Sequence, residues 1–146
     1  MPSDLEYMRL ALSEANKCKP TRSAFCVGAV LVKHDRIIST GYSRELDGNT
    51  HAEECAFLKL SCKEEAKGCT MYTTMEPCGP IRLSGKKPCT QWCIEAGVEQ
   101  VVIGVREPGT FVKCEGIEML RSNRIQVFCL NEMESECLKV ATRGHI

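Results

Sequence analysis

The chain has 146 residues with 19 basic and 19 acidic side chains, which suits one domain (1–146) with no overall field drawing it to nucleic acid or anionic membrane. Its 11 cysteines are odd in number, which excludes a fully paired disulfide framework. Most stand in apolar runs, as Cys26 does before Val27 and Cys129 between Phe128 and Leu130, so reduced thiols and a cytoplasmic or nuclear setting are expected.

Ser3 followed by Glu6 has capping-box spacing, and Leu5, Met8, Leu12 and Ala15 recur at helical intervals, predicting a helix from about Asp4 to Cys18 that Pro20 ends. The segment from Met1 to Glu6 lacks a basic stretch and an apolar core, and no later apolar run reaches membrane-spanning length, so a soluble chain without a secretion signal is expected. The apolar run Cys26 to Val32, the charged turn Lys33-His34-Asp35-Arg36 and the run Ile37 to Tyr42 predict two successive strands. Ser43 to Thr50, with Asp47-Gly48-Asn49, reads as a loop into a helix that starts near His51 and shows an apolar side from Ala52 to Cys62.

Thr70 to Thr74 has strand composition and delivers Glu76-Pro77-Cys78. A loop from Gly79 to Lys87 precedes Pro88-Cys89, which opens a helix that Gly97 stops. Strands over Val98 to Val105 and Ile125 to Leu130 then alternate with helices over Glu115 to Arg121 and Glu132 to Thr142. The order predicts an α/β fold, a mixed five-stranded sheet with helices on both faces, without repeats or linkers.

The chemistry concentrates in His51-Ala52-Glu53 and the later Pro77-Cys78 and Pro88-Cys89. One imidazole and two thiols are a catalytic zinc set: three protein ligands leave a fourth position for water. His51 and Cys89 fall at predicted helix starts, where unpaired N–H groups and the positive end of the dipole compensate thiolate charge. Glu53, two residues after His51, is assigned the proton shuttle for water attack on an aminated ring. The plain readings are a capping histidine, core cysteines and a solvated helix-start carboxylate. A sharper rival is a closed structural site completed by Cys55 and Cys93, each four residues from a proposed ligand. Otherwise Cys55, Cys62, Cys93 and Cys129 are expected in the core.

These motifs resemble the cytidine deaminase superfamily in its H-x-E and P-C signatures, and Val27-Gly28-Ala29-Val30 extends the likeness. The long segment between Cys78 and Cys89 departs from the usual P-C-x-x-C and is similar to the fungal type of the riboflavin-pathway pyrimidine deaminases. That resemblance implies a cytidine deaminase-like three-layer α/β/α sandwich and zinc as cofactor. It also implies hydrolytic deamination of a phosphorylated ribitylamino- or ribosylamino-diaminopyrimidinone, and a homodimer. Where bacterial relatives have Asn-Pro and a histidine, this chain has Ala24-Phe25 and Ser43, which leaves Asn49 as the replacement that holds the ring. The loop cations Arg82, Lys86 and Lys87 become candidates for the phosphate, Arg as a fork and Lys as a point charge. The chain ends too soon for the reductase domain common in bacterial relatives, so a free-standing deaminase is expected. The alternatives are deamination of cytidine, dCMP or a base in RNA, and a non-catalytic zinc-binding subunit of a deaminase complex. Neutral charge, one Trp and the absence of a basic tail argue against RNA.

Overall fold

The computed structural model describes residues 3–79, 82, 85–107 and 115–145. Ten main elements follow in order: α1 (Asp4–Ala15), β1 (Gly28–Lys33), β2 (Arg36–Tyr42), α2 (Ala52–Leu58), β3 (Thr70–Met75), α3 (Cys89–Ala96), β4 (Gln100–Val105), α4 (Gly116–Ser122), β5 (Gln126–Cys129) and α5 (Glu134–Ala141). Among the described residues the strands form one mixed sheet in the order β2-β1-β3-β4-β5. β1 runs antiparallel to β2 and β3, while β3, β4 and β5 are parallel. The β1–β2 turn holds His34 and Asp35 at φ 52° and 60°. That left-handed pair matches the strand twist of a tight hairpin.

Side-chain alternation builds the three layers. Val30, Tyr72 and Val102 are register neighbours on one face and pack with Tyr7, Met8 and Ala11 of α1 and Cys137 and Ala141 of α5. One residue away, Leu31, Met71 and Val101 point to the other face, against Ala56 and Phe57 of α2, Cys93 of α3 and Leu120 of α4. Each fully buried aliphatic side chain contributes about 1.5–3 kcal/mol, so a slip of one residue in register would exchange the two layers and forfeit both.

Two glycines set how closely the helices approach. A Cβ on Gly28 would stand 1.9 Å from the Ala11 carbonyl of α1, and one on Gly41 would stand 2.1 Å from the Ala52 carbonyl. The first turn of α2 therefore lies directly on β2.

Element types agree with expectation, and several boundaries differ, the larger shifts at helix ends. The first helix stops at Ala15 rather than Cys18 because Asn16 turns its side chain onto the Leu12 carbonyl while Lys17 and Cys18 bond back to Glu14 and Ala15 in tighter turns. The helix after His51 ends at Leu58, and Cys62 instead starts a separate 3-10 turn over Lys63–Ala66. The last helix is preceded by a 3-10 turn, Asn131–Met133. Two core assignments fail with these boundaries: Cys62 is exposed in the turn, and Cys129 is exposed on β5, an edge strand whose interior holds only Val127. Cys55 and Cys93 are buried as expected. No helix among the described residues is long and apolar enough to cross a membrane.

Candidate metal centre

Three segments meet at the C-terminal end of β3. His51 is the N-cap of α2, in extended backbone. Cys78 lies three residues beyond β3, and Cys89 is the first residue of α3 after Pro88, which occupies the cap. Among the described residues, His51, Cys78 and Cys89 form the one group of metal-ligating side chains, with all ligand atoms within 4.8 Å of one another. The His51 Nδ1 lies 3.6 Å from the Cys78 sulfur and 3.4 Å from the Cys89 sulfur. Nitrogen and sulfur donors on adjacent corners of a zinc tetrahedron stand about 3.6 Å apart, so the donor set fits that ion by type and spacing. Cys55 and Cys93 do not join the group; Cys93 packs in the core against Met71. The closed four-ligand rival lacks its ligands.

The cluster is prepared for negative sulfur. The Cys89 N–H points at the Cys78 sulfur at 3.2 Å. A hydrogen bond from the Cys89 thiol draws the Cys78 thiol down from its ordinary value, with His51 adding to the pull against the opposing effect of burial. The Cys89 thiol, which gives that hydrogen bond and is itself buried, is pushed up. A divalent ion would stabilise both as thiolates.

Glu53 is 4% exposed and lies outside the donor group. Burial raises its carboxyl to about 7; His51 and the Thr73 hydroxyl, 3.3 Å from Oε2, pull the other way. The same hydroxyl is 3.0 Å from the Met75 carbonyl. A carboxyl that titrates near neutrality is suited to taking and returning a proton.

The loop cations are engaged by the protein. Arg82 is 4% exposed. Its Nη2 lies 2.9 Å from Glu54 Oε1 and donates to the Asn49 carbonyl at 2.7 Å, while Nη1 donates to the Lys87 carbonyl at 3.1 Å. The Arg82 fork is thus directed at Glu54 and two carbonyls of the protein itself. Lys87 lies over the Trp92 ring at 4.2 Å from its centroid and pairs with the exposed Glu95 at 2.7 Å. Lys86 is half-buried, 2.7 Å from the Gly48 carbonyl and 3.3 Å from Glu54. Asn49 is exposed at φ 56°, a left-handed position that Asn tolerates. Ser43 is tied to the residue before β1, where its Oγ accepts the Val27 N–H at 2.9 Å.

Glu54 and Glu76 are the residues that the sequence reading misses. Glu54 closes a capping box by accepting the His51 N–H at 3.1 Å. Burial alone would raise its carboxyl, but the His51 N–H and Arg82 outweigh this and hold it below the usual value. The signal was available, since Glu54 stands three residues after the cap, although His is an unusual cap residue. Glu76 is buried and accepts the Ile117 N–H at 3.2 Å and the Glu107 N–H at 3.3 Å, securing α4 beside the Cys78 segment.

Comparison with known proteins converges on this site. Residues 1–105 match the family described as the cytidine and deoxycytidylate deaminase zinc-binding region. The diaminohydroxyphosphoribosylamino-pyrimidine deaminase of Schizosaccharomyces pombe is 51% identical over 143 residues, covering 96% of this chain and 35% of that protein. The riboflavin biosynthesis protein RibD of Aquifex aeolicus is 40% identical over 125 residues, covering 85% of this chain and 34% of its own length. The chain thus spans about a third of the curated relatives it matches. Among solved structures, the Aspergillus oryzae Rib2 deaminase in complex with DARIPP superposes with a TM-score of 0.85 at 39% identity, covering 97% of this chain and 91% of that one.

Proposed function

We propose that this chain, which belongs to the cytidine and deoxycytidylate deaminase zinc-binding family, is a zinc-dependent aminohydrolase of riboflavin biosynthesis. Its substrate would be a phosphorylated ribitylamino- or ribosylamino-diaminopyrimidinone, which reacts with water to give the ring carbonyl and ammonia. One observation carries the activity: a buried carboxyl, Glu53, held by Thr73 beside a three-donor cluster that does not include it. The substrate class is supported by the identity to the S. pombe deaminase and by the likeness to the Rib2 protein crystallised with DARIPP.

His51, Cys78 and Cys89 would hold the zinc, which when bound supplies the Lewis acidity that lets water attack near neutral pH. Glu53 takes the proton of the attacking water and returns protons to the ring nitrogen and to departing ammonia. Thr73 serves both protonation states of Glu53. Its single hydrogen turns to Glu53 when that group is ionised and to the Met75 carbonyl when Glu53 itself carries the proton. Asn49 and Lys86 remain the proposed contacts to ring and phosphate. The reading extends to a homodimer in the cytoplasm, checked by light scattering and by imaging of a tagged chain.

The test is ammonia release by the purified chain on the ribitylaminopyrimidine phosphate, its dephosphorylated form, cytidine, dCMP and RNA. Highest kcat/KM on the phosphorylated pyrimidine supports the reading. Preference for dCMP or cytidine would move it to nucleotide salvage chemistry, and no ammonia from any substrate would leave a non-catalytic zinc-binding subunit.

A further inference from the structure

Two segments that are distant in sequence carry metal donors into the same place: Cys89 lies 38 positions after His51, on a different helix. Among the described residues, neither segment is held by a strand ladder. His51 caps a helix of seven residues, and Cys89 follows a connection that leaves β3 at Met75. What joins them is a buried ion pair. Glu54 and Arg82 have side chains only 6% and 2% exposed and meet at 2.9 Å. The Glu54 carboxylate accepts the backbone N–H of His51 itself. The Arg82 fork reaches the carbonyl of Asn49, two residues before His51, and the carbonyl of Lys87, two residues before Cys89. One guanidinium thus spans the approaches to both donors, and its partner fixes the donor on the far side.

A buried ion pair is a poor way to gain stability, because desolvation offsets much of the attraction, but its fixed directions suit it to setting geometry. We propose that Glu54 and Arg82 are positioning residues, a clasp that sets the spacing between His51 and Cys89 and so holds the metal in register with Glu53. The inference rests on the zinc-centred reading given above. It replaces phosphate recognition as the task of Arg82.

The test uses the full chain loaded with zinc and follows release of the ion to a chromogenic chelator, alongside kcat and KM on phosphorylated and dephosphorylated substrate. In the double variant E54Q/R82M neither charge is left buried alone, so folding is retained, as circular dichroism would report. The clasp predicts zinc affinity lower by about 10- to 100-fold, the range typical when an outer partner of a metal ligand is lost, and read here as faster release. It also predicts a fall in kcat shared equally by both substrates, with KM nearly unchanged. R82K keeps the charge but cannot reach Glu54 and two carbonyls together, so it should also release zinc faster than the parent chain. Zinc release at the parental rate in both variants would overturn the clasp. A rise in KM confined to the phosphorylated substrate would overturn it in favour of phosphate binding. A parent chain that holds no zinc would instead remove the reading beneath it, a result distinct from either. Should the double variant fail to fold, R82K alone decides between these outcomes.

Discussion

Gly41→Ala and Gly28→Ala make a matched pair that separates the stability of the sandwich from the geometry of its site. Each adds one methyl group where a helix backbone touches the sheet. On Gly41 the new Cβ would stand 2.1 Å from the Ala52 carbonyl and 2.8 Å from the Ala56 nitrogen; on Gly28 it would stand 1.9 Å from the Ala11 carbonyl. Ordinary contact begins near 3.4 Å, so α2 must retreat by about 1.3 Å in one variant and α1 by about 1.5 Å in the other. Both contacts are with backbone, which cannot swing aside, so each variant should lose about 1–3 kcal/mol in urea unfolding. Only Gly41 lies under the helix whose first turn holds His51 and Glu53. A displacement of ~1 Å at reacting groups costs about 100-fold in rate. Measured per folded molecule and with zinc saturating, kcat should therefore collapse in Gly41→Ala and stay within about threefold of the parent in Gly28→Ala. Equal loss of kcat in the two variants, or full activity in Gly41→Ala at unchanged stability, would refute the claim that the β2–α2 contact aligns the site.

Glu53→Gln should bind zinc at the parental stoichiometry yet lose about 10²- to 10⁴-fold in kcat, as read by ammonia release and metal analysis. Cys55→Ala and Cys93→Ala should each keep one zinc per chain, since neither belongs to the donor group, whereas Cys89→Ala should lose it. Stripping the metal with a chelator should abolish activity and lower the melting temperature, and zinc should restore both. In the metal-free protein, burial raises the Glu53 carboxyl from 4.5 to about 7, so the folded chain holds that proton more tightly than the unfolded chain does. That contribution is whole below pH ~4.5 and is lost as pH rises through ~7, a span of about 3 kcal/mol. Urea titrations of metal-free Glu53→Gln should lack it.

The parts of the fold and site that are readable from sequence share a physical property: they are encoded locally. Val30 and Leu31, or Val101 and Val102, alternate between two cores because strand geometry gives them no other option. Pro88 before Cys89 and Gly97 at φ 75° mark the ends of α3 for the same reason. His51, Glu53, Cys78 and Cys89 could be picked out because metal chemistry restricts which side chains serve. Arg82 shows where this stops. Within its own loop it looks like a solvated cation, and its partner Glu54 lies in a different segment, so only the closed tertiary structure pairs them. Cys62 and Cys129 fail for a related reason. Their neighbours are apolar, but exposure is decided by a helix that ends at Leu58 and by a strand that lies at the edge of the sheet among the described residues.

The dependence of α2 on its surroundings links these points. Seven residues cannot sustain a helix in water, because nucleation costs more than so few hydrogen bonds return. The first turn exists because β2 lies beneath it without a side chain at Gly41, because Glu54 closes the N-terminus on His51, and because Arg82 ties that carboxylate to the segment before Cys89. The helix that presents one donor and the proton carrier is therefore folded by the same contacts that set the distance to another donor. A change that loosens the inserted segment should then be felt at Glu53 without touching it, whereas a longer, self-sufficient helix would have allowed the two to drift independently.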